Sequence, residues 1–144
     1  MAPWKFTRAI LSGETIDVYG QGEMFLDFTY VTDLVRAIRL LMDVPPVRPD
    51  GVIEVGDSLS PVAAWRVVNI GNGEKVSLGD FIAAIEAAAG KKAMRRMTEM
   101  QQGDVRATWA DTTLLRRLTG YAPETDIRDG MARFVEWYRG YAGV

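Results

Sequence analysis

The sequence predicts an α/β or α+β fold in which short strands alternate with helices. Three observations predict it. Runs of β-branched and aromatic residues are only four or five long, apolar residues between them recur at helical spacing, and Gly or Pro stands at most junctions. At 144 residues the chain is expected to form one domain, residues 1–144, with a core of its own.

The elements follow in order. Residues 3–12 read as a helix, with Pro3 in its first turn, Phe6, Ile10 and Leu11 on one face and Gly13 as its stop. Residues 16–19 read as a strand that ends in the turn Gly20-Gln21-Gly22, and residues 28–31 as a second strand. A helix over 33–43 is expected to start at Asp33 as N-cap and to bury Leu34, Val35, Ile38, Leu41 and Met42, with Arg36 and Arg39 wet. Pro45-Pro46 ends it, and residues 45–64, rich in Pro, Gly, Asp and Ser, read as a mobile surface loop.

Residues 66–70 are the best strand pattern in the chain, stopped by Gly71-Asn72-Gly73, a turn that needs positive φ. Ser77 with Asp80 three residues on opens a helix whose buried face is Leu78, Phe81, Ile82 and Ile85 and whose stop is Gly90. A strand over 93–97 comes next. Asp111 is expected to cap a short helix to Leu118 that buries Leu114, Leu115 and Leu118, and a final helix runs over 127–141.

Composition removes whole classes of chemistry. With no cysteine there is no disulfide, thiol nucleophile or thiolate zinc site, and the chain suits a reducing cytoplasm. With no histidine the usual general base and the Ser-His-Asp arrangement are gone. A net charge of −2 gives no global attraction to nucleic acid, and neither a signal peptide nor a long apolar span is visible. A soluble protein is expected.

Phosphate-cradling motifs are missing as well. No glycine-rich dinucleotide fingerprint joins a strand to a helix, and Gly20-Gln21-Gly22 reads as a turn between strands. Gly71-Asn72-Gly73-Glu74-Lys75 has the wrong spacing for a phosphate loop. Among the carboxylates, Asp27, Asp33, Asp104 and Asp111 are each a candidate acid or base. Asp33 and Asp111 fit caps better, and Asp104, in a loop with no structural task legible in the sequence, is the stronger functional candidate.

Three stretches in this order carry a resemblance. Gly22-Glu23-Met24-Phe25-Leu26-Asp27-Phe28-Thr29-Tyr30-Val31-Thr32-Asp33 is similar to the R-D-F-x-Y-V-x-D segment of extended short-chain dehydrogenase/reductase enzymes. Val68-Asn69-Ile70-Gly71-Asn72 followed by Ser77-Leu78 resembles their N-I-G segment. Met100-Gln101-Gln102-Gly103-Asp104-Val105 through Trp109-Ala110-Asp111, then Gly120-Tyr121-Ala122-Pro123 and the last helix, resembles their C-terminal signature, in the form nearest to that of UDP-glucuronate 4-epimerases.

The resemblance implies the C-terminal, substrate-binding portion of a Rossmann-type fold. It implies NAD as the cofactor of a complete enzyme, held by an N-terminal Rossmann half that also carries Tyr-x-x-x-Lys. None of Tyr19, Tyr30, Tyr121, Tyr138 or Tyr141 has a lysine four residues on. By resemblance, then, this chain holds the UDP-sugar, binds no cofactor and catalyses nothing alone. Its partners would be the missing half and a second copy of itself. A dehydratase or decarboxylase of the same family, or a non-catalytic binding module derived from it, are the alternatives.

The segment Asp17-Val18-Tyr19 resembles the edge whose backbone meets uracil, so Asp17 and Tyr19 are implied contacts. Asp104 resembles the carboxylate on a ribose hydroxyl, and Gln101 takes the place beside the diphosphate. Leu26 departs from the pattern: an arginine that contacts the diphosphate usually stands there. Leucine offers neither charge nor donor, so the clamp is expected to be lost or moved to Arg8 or Arg106.

Overall fold

A computed structural model describes residues 2–48, 50–100 and 106–144. The chain forms two compact units: Met1–Leu26, Glu74–Thr108 and Thr125–Val144 make the first, and Asp27–Gly73 with Trp109–Glu124 makes the second.

The first unit is built round its most apolar helix, α3 (Leu78–Ala89), which buries Leu78, Phe81, Ile82 and Ile85 as expected, together with Ala84 and Ala89. The Ser77 hydroxyl accepts from the Asp80 N–H at 2.9 Å and donates to its carboxylate at 2.7 Å, and Gly90 closes the helix at φ 64°. Against α3 pack α1 (Ala2–Ser12), through Ala9 and Ile10, and α5 (Ile127–Ala142), through Met131, Val135 and Tyr138. Beside them β1 (Thr15–Tyr19) pairs in parallel with β4 (Met94–Thr98), Thr15 opposite Met94 and Tyr19 opposite Thr98. Ile16 and Val18 of β1 point inward, as period two requires. The strand expected over 93–97 is therefore present, one residue later.

A second, shorter ladder in this unit joins β2 (Phe25–Leu26) to β3 (Val76–Ser77) in antiparallel register. The strand expected over 28–31 does not form. The Tyr30 carbonyl accepts from the N–H groups of Asp33 and Leu34 at 3.1 Å, so Val31 is already the first residue of α2 (Val31–Met42). Asp33 accordingly sits inside the first turn, where its charge suits the helix dipole, and is not the N-cap.

The core of the second unit is a small cluster: Ala37, Leu115 and Tyr121, with Leu40, Leu41, Val68 and Ile70 packed against it. This corrects the stripe expected for α2. Leu41 faces the cluster, but Val31, Leu34, Val35, Ile38 and Met42 are exposed on another side of the helix. The helix carries apolar residues on more than one face, so the sequence pattern alone does not choose between them. Helix α4 (Thr113–Thr119) starts two residues beyond Asp111, so Thr112 and not Asp111 holds the N-cap position; the Asp111 carboxylate still accepts from the Thr113 N–H at 2.9 Å, and the helix buries Leu115 fully.

Residues 66–70 alternate as a strand should, with Val68 and Ile70 turned to the core and Val67 and Asn69 outward. Yet among the described residues they form no ladder beyond a single bridge between Leu59 and Arg66. Extended propensity is local, whereas a ladder needs a neighbouring strand, and the second unit supplies none. Asp57 fastens the segment before it. This carboxylate, 10% exposed, accepts from both Arg66 nitrogens at 2.8 and 3.1 Å and from the Leu59 N–H at 2.9 Å, with Arg117 at 3.3 Å.

One carboxylate ties three parts of the second unit together. Asp27 accepts from the N–H groups of Asn72, Gly73 and Ala110, each at 3.0 Å. A Cβ on Gly71 would fall 2.5 Å from that of Ala110 and 2.7 Å from an Asp27 oxygen, so glycine is required by close approach; Gly73 takes the positive φ, 76°. Of the candidate acids, Asp27 is thus a structural acceptor. Removing it in Asp27→Ala leaves three donors without their partner and is expected to cost about 2–4 kcal/mol in urea unfolding. An unchanged midpoint and slope would contradict that role.

Glu86 plays the corresponding part in the first unit. Its side chain is 4% exposed and accepts from Lys92 and Arg95 at 2.8 Å and from the Ala93 N–H at 3.0 Å. Burial pushes the carboxyl up, but these donors outweigh it and hold it at about 2, against an ordinary 4.5. A depressed folded-state pKa stabilises fully above the unfolded value, and the stabilisation fades as pH falls from 4.5 toward 2. Glu86→Gln is expected to lose on the order of 2–3 kcal/mol at about pH 7 and to show a shallower acid limb below about pH 5. Denaturant titrations across that range that superimpose for both proteins would contradict it.

Candidate nucleotide-binding site

Parallel pairing brings the carboxyl ends of β1 and β4 to the same side, and in α/β proteins ligands bind outside the carboxyl ends of parallel strands. A cavity of about 1030 Å³ opens there, wholly within the first unit. After Tyr19 the chain makes a 3-10 turn, Gly20–Gly22, in which φ is positive three times running, 54°, 56° and 85°. Two of the three are glycines, but Gln21 is not, and it carries the strain of that region at the cavity wall. The turn closes with the Glu23 N–H donating to the Gly20 carbonyl at 3.0 Å.

Backbone and apolar surface make up much of the wall: the turn, Met24, Phe25, Met97 and Met100. Phe25 is held in place by its N–H to the Arg106 carbonyl at 2.9 Å and by its carbonyl from the Thr108 N–H at 3.0 Å. Methionine and phenylalanine suit a flat, weakly polar ring, since thioethers adapt to its face and edge. The charged groups on the described wall are Glu23, Glu99 and Arg106.

The residues singled out in the sequence fall as follows. Tyr19 ends β1, and its main chain leads directly into the turn. Asp17, two residues earlier, is away from the wall: its carboxylate receives Arg96 in a two-pronged ion pair, 2.6 and 3.0 Å, which holds it below the ordinary carboxylate range. Gln101 and Asp104 lie outside the described residues, whereas Met100 and Arg106 both line the cavity. Leu26 is opposite Val76 in the ladder and is not on the wall, unlike its neighbour Phe25. Arg8 is paired with Glu14 at 3.6 Å. Sequence reasoning missed the contribution of β4 and of residues 23–25; the one signal for it was a double-glycine turn at the end of a strand. Among the described residues, no cluster of carboxylates could hold a metal ion.

The chain of short strands and helices, with a cavity at the ends of its parallel strands, shares the Rossmann-type α/β fold of solved extended short-chain dehydrogenase/reductase structures. The family model described as GDP-mannose 4,6 dehydratase matches residues 4–134, and the chain belongs to this family of NAD-dependent nucleotide-sugar epimerases and dehydratases. A Rhizobium meliloti protein named as a probable UDP-glucuronate 4-epimerase is 47% identical over 140 residues, 96% of this chain and 41% of that protein. UDP-glucuronate 4-epimerase 6 of Arabidopsis thaliana is 34% identical, over all of this chain and 31% of its own length. Among solved structures, MoeE5 in complex with UDP-glucuronic acid and NAD is 31% identical with a TM-score of 0.77, over 98% of this chain and 42% of that one. The Thermotoga maritima UDP-glucose 4-epimerase shares the fold at 24% identity and a TM-score of 0.77, over 99% of this chain and 40% of that one. The chain therefore spans less than half the length of the relatives it matches. Among its described residues no helix is long and apolar enough to cross a membrane.

Proposed function

We propose that this chain is the UDP-sugar-binding part of a cytoplasmic UDP-glucuronate 4-epimerase-like enzyme and that it does not catalyse the reaction alone. The observation that carries the reading is the cavity at the carboxyl ends of β1 and β4 in a chain 47% identical to a protein named for that activity. The main chain from Asp17 to Gly22 meets the base, Asp104 holds the ribose and Gln101 lies beside the diphosphate. Asp17 acts through its backbone, because its carboxylate is engaged by Arg96. The name of the matched family model keeps a dehydratase as the nearest alternative.

NAD does not fit the described residues of this chain. The glycine pair Gly20 and Gly22 passes into Glu23 and then strand β2 and does not itself open a helix, as a dinucleotide fingerprint does; the helix start beside it, at Gly79 of α3, belongs to a distant stretch of chain. In this reading NAD and the Tyr-x-x-x-Lys pair belong to an N-terminal Rossmann half. The surface that receives it is in the second unit: the exposed Val31, Val35, Ile38 and Met42 of α2, and the extended but unladdered residues 66–70. Such a row of apolar side chains and free strand edge favours burial, so the chain by itself pairs with a second copy through the same surface.

The purified chain is expected to give no turnover of UDP-glucuronate with added NAD and to self-associate in light scattering. Co-expression with the N-terminal half of a relative such as the Rhizobium protein is expected to produce epimerisation and to shift the chain into a complex. Turnover by the chain alone would refute the reading, as would a co-purified complex that is inert toward every UDP-sugar.

A further inference from the structure

We propose that Arg106 binds a phosphate of the nucleotide ligand, the contact that the resemblance implies for the position held here by Leu26. The proposal rests on the UDP-sugar reading above and names the group that would make the anion contact. Position 26 cannot make it: leucine has no donor, and the residue sits in the β2–β3 ladder, off the cavity wall. Arg8 is the other cation near in the sequence pattern, but it belongs to α1, is away from the wall and is paired with Glu14.

Arg106 differs in each respect. It lines the cavity, is exposed and, among the described residues, forms no ion pair, whereas Arg39, Arg66, Arg95, Arg96 and Arg117 are each joined to a carboxylate. Its backbone is not free to wander, because its carbonyl accepts from the Phe25 N–H at 2.9 Å, which fixes the root of the guanidinium at the wall beside the turn. The rest of the charged wall is Glu23 and Glu99. Two carboxylates repel a diphosphate, so the cavity admits one only if its single described cation turns to it. A guanidinium matches two phosphate oxygens at once and needs no proton exchange to do so.

Titration calorimetry on the 144-residue chain at low salt, with uridine and UDP as probes, tests this. The chain is expected to bind UDP about tenfold or more tightly than uridine, a preference that shrinks as salt is raised. Arg106→Gln is expected to bring UDP down to the affinity of uridine, Arg106→Lys to keep part of the preference and Arg8→Gln to keep all of it. Binding of uridine by Arg106→Gln reports that the variant is folded. If Arg106→Gln still prefers UDP by the original factor, the phosphate contact lies elsewhere and the proposal fails, while the UDP-sugar reading stands. If the unaltered chain binds neither probe, the reading itself fails and takes the proposal with it.

Discussion

Two strands that run in the same direction cannot be joined by a tight turn, and in this protein everything at the candidate site depends on that constraint. The chain leaves β1 at Tyr19 and does not return to pair with it until Met94, 75 positions on by subtraction. Parallel pairing also places both carboxyl ends together, so the turn after Tyr19 and the residues that follow Thr98 line one cavity. An antiparallel partner would have put the amino end of one strand beside the carboxyl end of the other and offered no such mouth. Because the ladder is short and β4 is largely exposed, its hold comes chiefly from Ile16 and Val18, packed in the first unit with α3 at its centre.

The long excursion between those strands is organised by carboxylates. Asp27 gathers the N–H groups of residues 72, 73 and 110, and Asp57 gathers Arg66, Arg117 and the Leu59 N–H. Both act as acceptors for donors that come from distant stretches of chain, which is how an irregular segment without a sheet satisfies its backbone. Apolar residues left outside form a row on α2, with Val67 exposed on the extended run. Their arrangement is a helix with a second apolar stripe followed, among the described residues, by an extended run that forms no ladder beyond one bridge.

Much of this was legible in the residues. Ser77 with Asp80 and Gly90 marked α3 because capping is local chemistry, and the core-facing positions of that helix followed from period alone. The strand at 66–70 was right in its alternation and wrong in its ladder, since alternation is written in the side chains and a ladder depends on a neighbour. Residues 28–31 have strand-forming side chains, but they lost to a helix whose first carbonyl acceptor is Tyr30, a competition that propensity does not settle. At the site, Arg106 was singled out through a resemblance, as a residue to which the clamp could move, and Phe25 and Met97 were not. Nothing in a single sequence announces which residues a parallel crossover will bring face to face.

The central claim is that the cavity at the ends of β1 and β4 receives the nucleotide. A two-dimensional amide NMR titration of the isolated chain with UDP tests it directly. The account predicts saturable shifts at Gly20, Gln21, Gly22, Phe25, Met97, Thr98 and Arg106, with α5 and the exposed side of α2 unmoved. Saturable shifts confined to α2 and residues 66–70, with the turn after Tyr19 silent, would contradict it.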